Sequence, residues 1–145
     1  MSIFGLISLF IALVSVSVIV VHSRVMRKRA PVDIHFAALE ELLRARIEML
    51  YDTSPPDSQL NEICATCVDL DYDTMVGALP SITANMEDEP PSEDIEANST
   101  EIQTTIEALN AAIETYNEAI TKKPSAALMA MALGLKTLEA VELQI

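Results

Sequence analysis

Glycine is scarce, with three in 145 residues, at Gly5, Gly77 and Gly134, each alone. Phosphate-cradling loops need clustered glycines, and an α/β-hydrolase elbow needs two around its serine, so both are excluded. Histidine is scarcer still, at His22 and His35 only. Ile19 and Val32 stand three positions before them, so the paired Glu-x-x-His of a di-iron site is missing. Two histidines also make neither a His-rich zinc site nor, with one beside an apolar run and the other alone on a helix, a Ser-His-Asp triad. Tryptophan is absent and basic residues number 9 against 22 acidic ones. No catalytic, cofactor-binding or metal-binding constellation is expected, and no enzymatic activity.

What is present begins with a long apolar run. The 19 residues from Ile3 to Val21 carry no charge, and their polarity is limited to Ser8, Ser15 and Ser17. As a helix this run spans about 28 Å, close to the ~30 Å of bilayer hydrocarbon. The serines are tolerable because each can donate back to its own helix backbone. A secretory signal peptide has its positive charge before a shorter apolar stretch and ends at a small-residue cleavage site. Here the charge follows the run, as Arg24, Arg27, Lys28 and Arg29. A retained transmembrane anchor over 1–23 with a basic juxtamembrane collar over 24–30 is therefore expected.

Lys and Arg beside a span stay on the cytoplasmic side. The expectation is a cell-membrane protein with a single span, a short N-terminus outside and a cytoplasmic C-terminal domain. Cys64 and Cys67 then sit in a reducing compartment, where no disulfide is required.

Residues 31–145 read as helices broken at prolines. Pro31 fits a first helical turn. Val32, Phe36, Leu39, Leu43, Ile47 and Leu50 follow as one apolar stripe. Ser54-Pro55-Pro56 ends that helix, and Asp57 is a candidate N-cap for the next. The next stripe comprises Cys64, Val68, Tyr72, Met75, Leu79, Ile82 and Met86, with Pro80 predicting a kink or break near 77–79. From Glu87 to Ser99 the chain is acidic and aperiodic around Pro90-Pro91, which reads as a solvated linker. Thr100, with Gln103 completing a capping box, opens a further helix. Ile102, Ile106, Leu109, Ile113, Tyr116 and Ile120 form its heptad-like, coiled-coil seam. Lys122 and Lys123 suit its C-terminal dipole and Pro124 stops it. The segment 126–133 is apolar all round and too short to span a bilayer, so it is buried against helices or covered by a surface. No run alternates with period two. The fold expected is all-α: the transmembrane helix, then an antiparallel bundle of three long helices and a short C-terminal one.

The stretch from Asn110 through Tyr116-Asn117 to Ile120, then Lys122-Lys123-Pro124 and an Ala/Leu-rich turn ending Gly134-Leu135-Lys136, resembles the C-terminal signature of the LemA family. That signature has two Tyr-Asn doublets seven residues apart, a proline, and a short apolar helix closing on Gly-Phe-Lys. Val32-Asp33-Ile34 followed by Leu42-Leu43 is similar to the family's Ile-Asp-Val segment. Leu109-Asn110 stands in place of the first doublet, and Thr105, Ile106, Ala38 and Leu39 stand where the family usually has arginines. The resemblance is thus to a divergent, compact member. It implies a membrane-anchored helical bundle without established enzymatic activity, with Asp33, Asn110, Tyr116, Asn117, Pro124 and Gly134 as its motif residues.

Three smaller motifs have plain readings. Cys64-Ala65-Thr66-Cys67 lies inside a helix near Glu62, Asp69 and Asp71, which oppose a thiolate, and has no second pair for zinc. Core packing, with Cys67 at the edge, is the expected role. Asp69-Leu70-Asp71-Tyr72-Asp73 resembles a calcium-loop opening, but Thr74 and Pro80 fall where glycine and glutamate are required, leaving solvated carboxylates. Asn98-Ser99-Thr100 matches a glycosylation sequon whose expected role is helix initiation.

Charge partition defines partners. Residues 30–145 hold 5 basic and 22 acidic side chains, a net of −17, against +4 over 24–29. Nucleic acid is repelled. The expected partners are the lipid bilayer, through the collar, and a protein or a second copy of the chain.

Overall fold

The computed structural model of the chain describes residues 3–67, 70–86, 92–143 and 145. Among these it is all-helical, without strands, and its first helix begins with a long apolar stretch. Five helices follow in order: α1 (Ile3–Thr53), α2 (Gln59–Cys67), α3 (Tyr72–Met86), α4 (Glu93–Thr121) and α5 (Pro124–Ala132). Contacts divide the chain into two compact units, Met1–Asp33 with Asn110–Ala140, and Ile34–Leu109 with Val141–Ile145.

The first part of α1 is long and apolar enough to cross a membrane, and none of that window is buried against protein. Its serines behave as the run requires: Ser15 Oγ donates to Ile11 O and Ser17 Oγ to Leu13 O, each at 2.8 Å. The helix does not restart at Pro31. It runs through it, because Val25, Val32 and Leu39 form one buried stripe across the proline, which is itself exposed. The collar is thus the middle of a helix.

In the second unit the expected stripes form the core. Leu39, Leu43 and Ile47 of α1 are fully buried, as are Met75 and Ile82 of α3 and Ile102 and Leu109 of α4. Phe36 departs from its stripe: it is 37% exposed and packs its ring on Tyr72, with centroids 4.6 Å apart.

Helix boundaries differ from expectation elsewhere as well. Ser58, rather than Asp57, caps α2, its Oγ accepting from Asn61 N at 3.1 Å. The stripe from Cys64 to Met86 belongs to two helices, and the break falls after Cys67 instead of at Pro80, which α3 accommodates on an exposed face. Asp71 enforces the restart, since its Oδ1 accepts from Thr74 N at 3.0 Å and from Thr74 Oγ1 at 2.7 Å. Val68 and Asp69 lie outside the described residues.

The acidic linker is shorter than its composition implies. Residues 87–91 lie outside the described residues, but α4 starts at Glu93, so Thr100 and Gln103 are interior and form no capping box. Ser92 Oγ takes the Ile95 N–H at 3.4 Å, and Glu93, Asp94 and Glu96 crowd the first turn, where carboxylates favour the helix dipole. Ile95 and Asn98 extend the buried seam upstream of Ile102.

Asn98 and Ser99 accordingly serve as interior groups of α4, and the sequon does not initiate a helix. Asn98 Nδ2 donates to Leu42 O at 3.2 Å, and its Oδ1 is buried with no hydrogen-bond partner. Arg46, 5% exposed, donates from Nη1 to Ser99 Oγ at 2.6 Å. Desolvation lowers the pKa of that guanidinium without making it neutral.

Candidate functional site: a basic cleft on the first unit

The first unit gathers the collar and the residues that carry the sequence resemblance, Asp33, Asn110, Tyr116, Asn117, Pro124 and Gly134. Its core is Val25 and Val32 of α1, Ile113, Tyr116 and Ile120 of α4, and Ala126 and Ala130 of α5. A cation and a ring meet here, because Arg29 Cζ lies 5.4 Å from the Tyr116 ring centroid while its Nε donates to Asp33 Oδ1 at 2.9 Å. The Asp33 hydrogen bond, against desolvation, holds the Arg29 pKa above its ordinary value. Arg29, half-buried, is therefore tied within its own unit, with exposed Asp33 steering it over the ring.

Asn117 binds the chain's C-terminal segment. Its Nδ2 donates to Leu138 O and its Oδ1 accepts from Leu138 N, both at 2.8 Å. An asparagine side chain presents a donor and an acceptor in the spacing of a peptide edge, so one residue can hold an extended backbone in register. Asn110 opens the α4 portion of the same unit and is half-buried.

Pro124 occupies the first turn of α5, where its missing N–H costs nothing, behind Lys123 as N-cap. Gly134 ends the helix with φ +66°, while Leu135 N donates to Ala130 O at 2.8 Å and Gly134 N to Met131 O at 3.2 Å. These two bonds are a Schellman cap, which requires the left-handed residue at Gly134. The chain then leaves the helix, so the C-terminal segment is helical only to Ala132. Within α5, Ala126 and Ala130 are buried whereas Leu128 and Met131 are 69% and 78% exposed. One stripe is covered, Ala127 and Met129 are half-buried, and the face bearing Leu128 and Met131 is open.

Beside the collar lies a cleft of about 750 Å³. Arg24, Arg27 and Lys28 line it from α1, and Lys122 and Lys123 from the two-residue link between α4 and α5. Ser125 and Ala126, in the first turn of α5, border it as well. Val21, Val25 and Ala119 supply an apolar wall. Helical spacing explains the convergence: 21, 24, 25 and 28 share one face of α1, and 115, 118 and 119 share one face of α4, with Lys122 held just past its end by its N–H on Glu118 O at 2.9 Å. Glu118 is the cleft's carboxylate, and it is paired to Lys122 at 3.2 Å. Lys122 and Lys123 carried no signal as cleft residues in the sequence, because they read equally well as cations at a helix end.

Cys64 is fully buried and Cys67 nearly so, and both are free thiols. Burial, and secondarily the neighbouring Cys67, push the Cys64 thiol up to about 11. A thiol held protonated in this way is a packing group at neutral pH. Asp71 is engaged as a helix cap, with Thr74 lowering its pKa. No group of three or more His, Cys, Asp or Glu side chains able to hold a metal occurs among the described residues. Comparison of the chain with known protein families, with curated proteins and with solved structures finds no match in any of the three.

Proposed function

We propose that the chain is a single-pass membrane-anchored protein of the LemA type, with its C-terminal bundle in the cytoplasm, acting as a non-enzymatic interaction or scaffold module. The observation that carries this reading is the solvent-exposed apolar start of α1 running without interruption into a cationic collar. A helix that is apolar all round and unburied by its own protein needs another apolar phase. The positive flank favours a cytoplasmic bundle, and the −17 net charge of residues 30–145 keeps the acidic surface of that bundle, away from the collar, off anionic headgroups. Asp33, Tyr116, Asn117, Pro124 and Gly134, the residues on which the LemA resemblance rests, each fix part of one compact unit. Purification in a mild detergent tests the scaffold role. A stable protein partner or homo-oligomer is expected, and a strictly monomeric chain without partner contradicts it.

A second reading has its own observation. Leu128 and Met131 leave an apolar face of α5 open, as in a small accessory subunit that docks into a larger membrane complex. That reading expects the chain to aggregate or be degraded when expressed alone.

A further inference from the structure

We infer that the cleft between the collar and the α4–α5 corner is a binding site for the phosphate headgroup of an anionic phospholipid. Five cations line it, and the ion pairs among the described residues are Arg29–Asp33, Arg44–Glu40 and Lys122–Glu118. Arg24, Arg27, Lys28 and Lys123 thus face one cavity with no carboxylate within ion-pair distance among those residues. Like charges gathered this closely repel one another, and an anion seated among them reverses the sign of that term. Arginine and lysine donors are also the usual phosphate ligands. The start of α5 adds to them, because Lys123 provides no side-chain cap and, Pro124 having no N–H, the Ser125 and Ala126 N–H groups of the first turn, at the cleft's edge, have no intrahelical acceptor.

The apolar wall selects a lipid over a free anion. Val21 is the last residue of the uncharged run, and Val25 lies one turn further on the same face. In a membrane-spanning α1, that wall sits at the hydrocarbon boundary and the cations sit at headgroup level, so one occupant can satisfy both. A volume of about 750 Å³ is within the range of small-molecule sites. The cleft also differs from a diffuse electrostatic contact, since it needs residues from two helices remote in sequence.

This inference rests on the membrane-anchor reading. Native mass spectrometry of the full chain in dodecyl maltoside, offered equimolar dioleoyl phosphatidic acid and dioleoyl phosphatidylcholine, tests it. One phosphatidic acid is expected to be retained in preference to phosphatidylcholine. The double variant Lys122→Gln/Lys123→Gln should weaken that retention about 30-fold, at roughly 1 kcal/mol per cation near a phosphate. Arg24→Gln/Lys28→Gln, on the opposite wall, should do the same. Arg44→Gln/Lys136→Gln removes equal charge outside the cleft and should change retention less than about 2-fold. Equal losses in all three variants, or no preference for phosphatidic acid, overturn the site. Displacement of the lipid by about 10 mM inorganic phosphate overturns the lipid assignment in favour of a soluble anion. Carbonate extraction of membranes carrying the same chain reports on the anchor separately, so a failed lipid preference with a carbonate-resistant protein rejects the cleft alone.

Discussion

Asn117 and Leu138 form a closed pair, with Asn117 Nδ2 donating to the Leu138 carbonyl and Asn117 Oδ1 accepting the Leu138 N–H, each at 2.8 Å. The bonds join residues 21 positions apart and tie the segment after α5 to the side of α4. Replacing Asn117 by Ala removes both and leaves a half-buried peptide without its partners, a cost of about 1–3 kcal/mol. Hydrogen exchange at the Leu138 amide should accelerate accordingly, and Asn117→Asp, which keeps only the acceptor, should fall between the two. Unchanged protection at Leu138 in Asn117→Ala contradicts the clamp.

Two glycines respond oppositely to the same substitution. Gly77 lies inside α3 with nothing within 4 Å of an added Cβ, so Gly77→Ala should stabilise the chain by about 0.5–1 kcal/mol through helix propensity. Gly134 also has open space around it, but its φ is +66°. Gly134→Ala should therefore cost about 1–2 kcal/mol by backbone conformation alone, with Gly134→Asn cheaper than Gly134→Ala. Thermal unfolding of the three variants in detergent checks the signs and the order.

Cys64 makes stability depend on alkaline pH. Its thiol is pushed from an ordinary 9.0 up to about 11 by burial, so between those values the native state keeps a proton that the unfolded chain has released. The contribution is fully present below about pH 9 and is lost as pH rises toward 11. Denaturant midpoints measured at pH 8 and pH 10.5 should fall further for the parent than for Cys64→Ala. At neutral pH iodoacetamide should label native Cys64 far more slowly than the unfolded chain, and equal rates contradict its burial.

Much of this arrangement is legible in residue spacing. The seam from Ile102 to Ile120 is buried at all six positions, because a heptad stripe leaves a helix only one way to hide its apolar side chains. Boundaries were less legible, since proline and acidic clusters are weaker signals than a continuing stripe. Val25, Val32 and Leu39 carry α1 through Pro31, and Ile95 and Asn98 carry α4 back into the acidic segment. The site was legible only by halves. The collar is a local charge run, whereas its meeting with Lys122 and Lys123 joins residues about 95 positions apart, a contact no local pattern encodes. The same limit hid the Arg46–Ser99 bond and the Leu138 end of the Asn117 clamp.

The most direct test of the membrane-tethered account is a fusion of alkaline phosphatase, active only outside the cytoplasm, to Ile145 of the full chain. The collar Arg24, Arg27, Lys28 and Arg29 predicts that the fusion is expressed, sediments with membranes, resists carbonate extraction and shows no phosphatase activity. Strong phosphatase activity from the membrane-bound fusion, or its release by carbonate, contradicts the account.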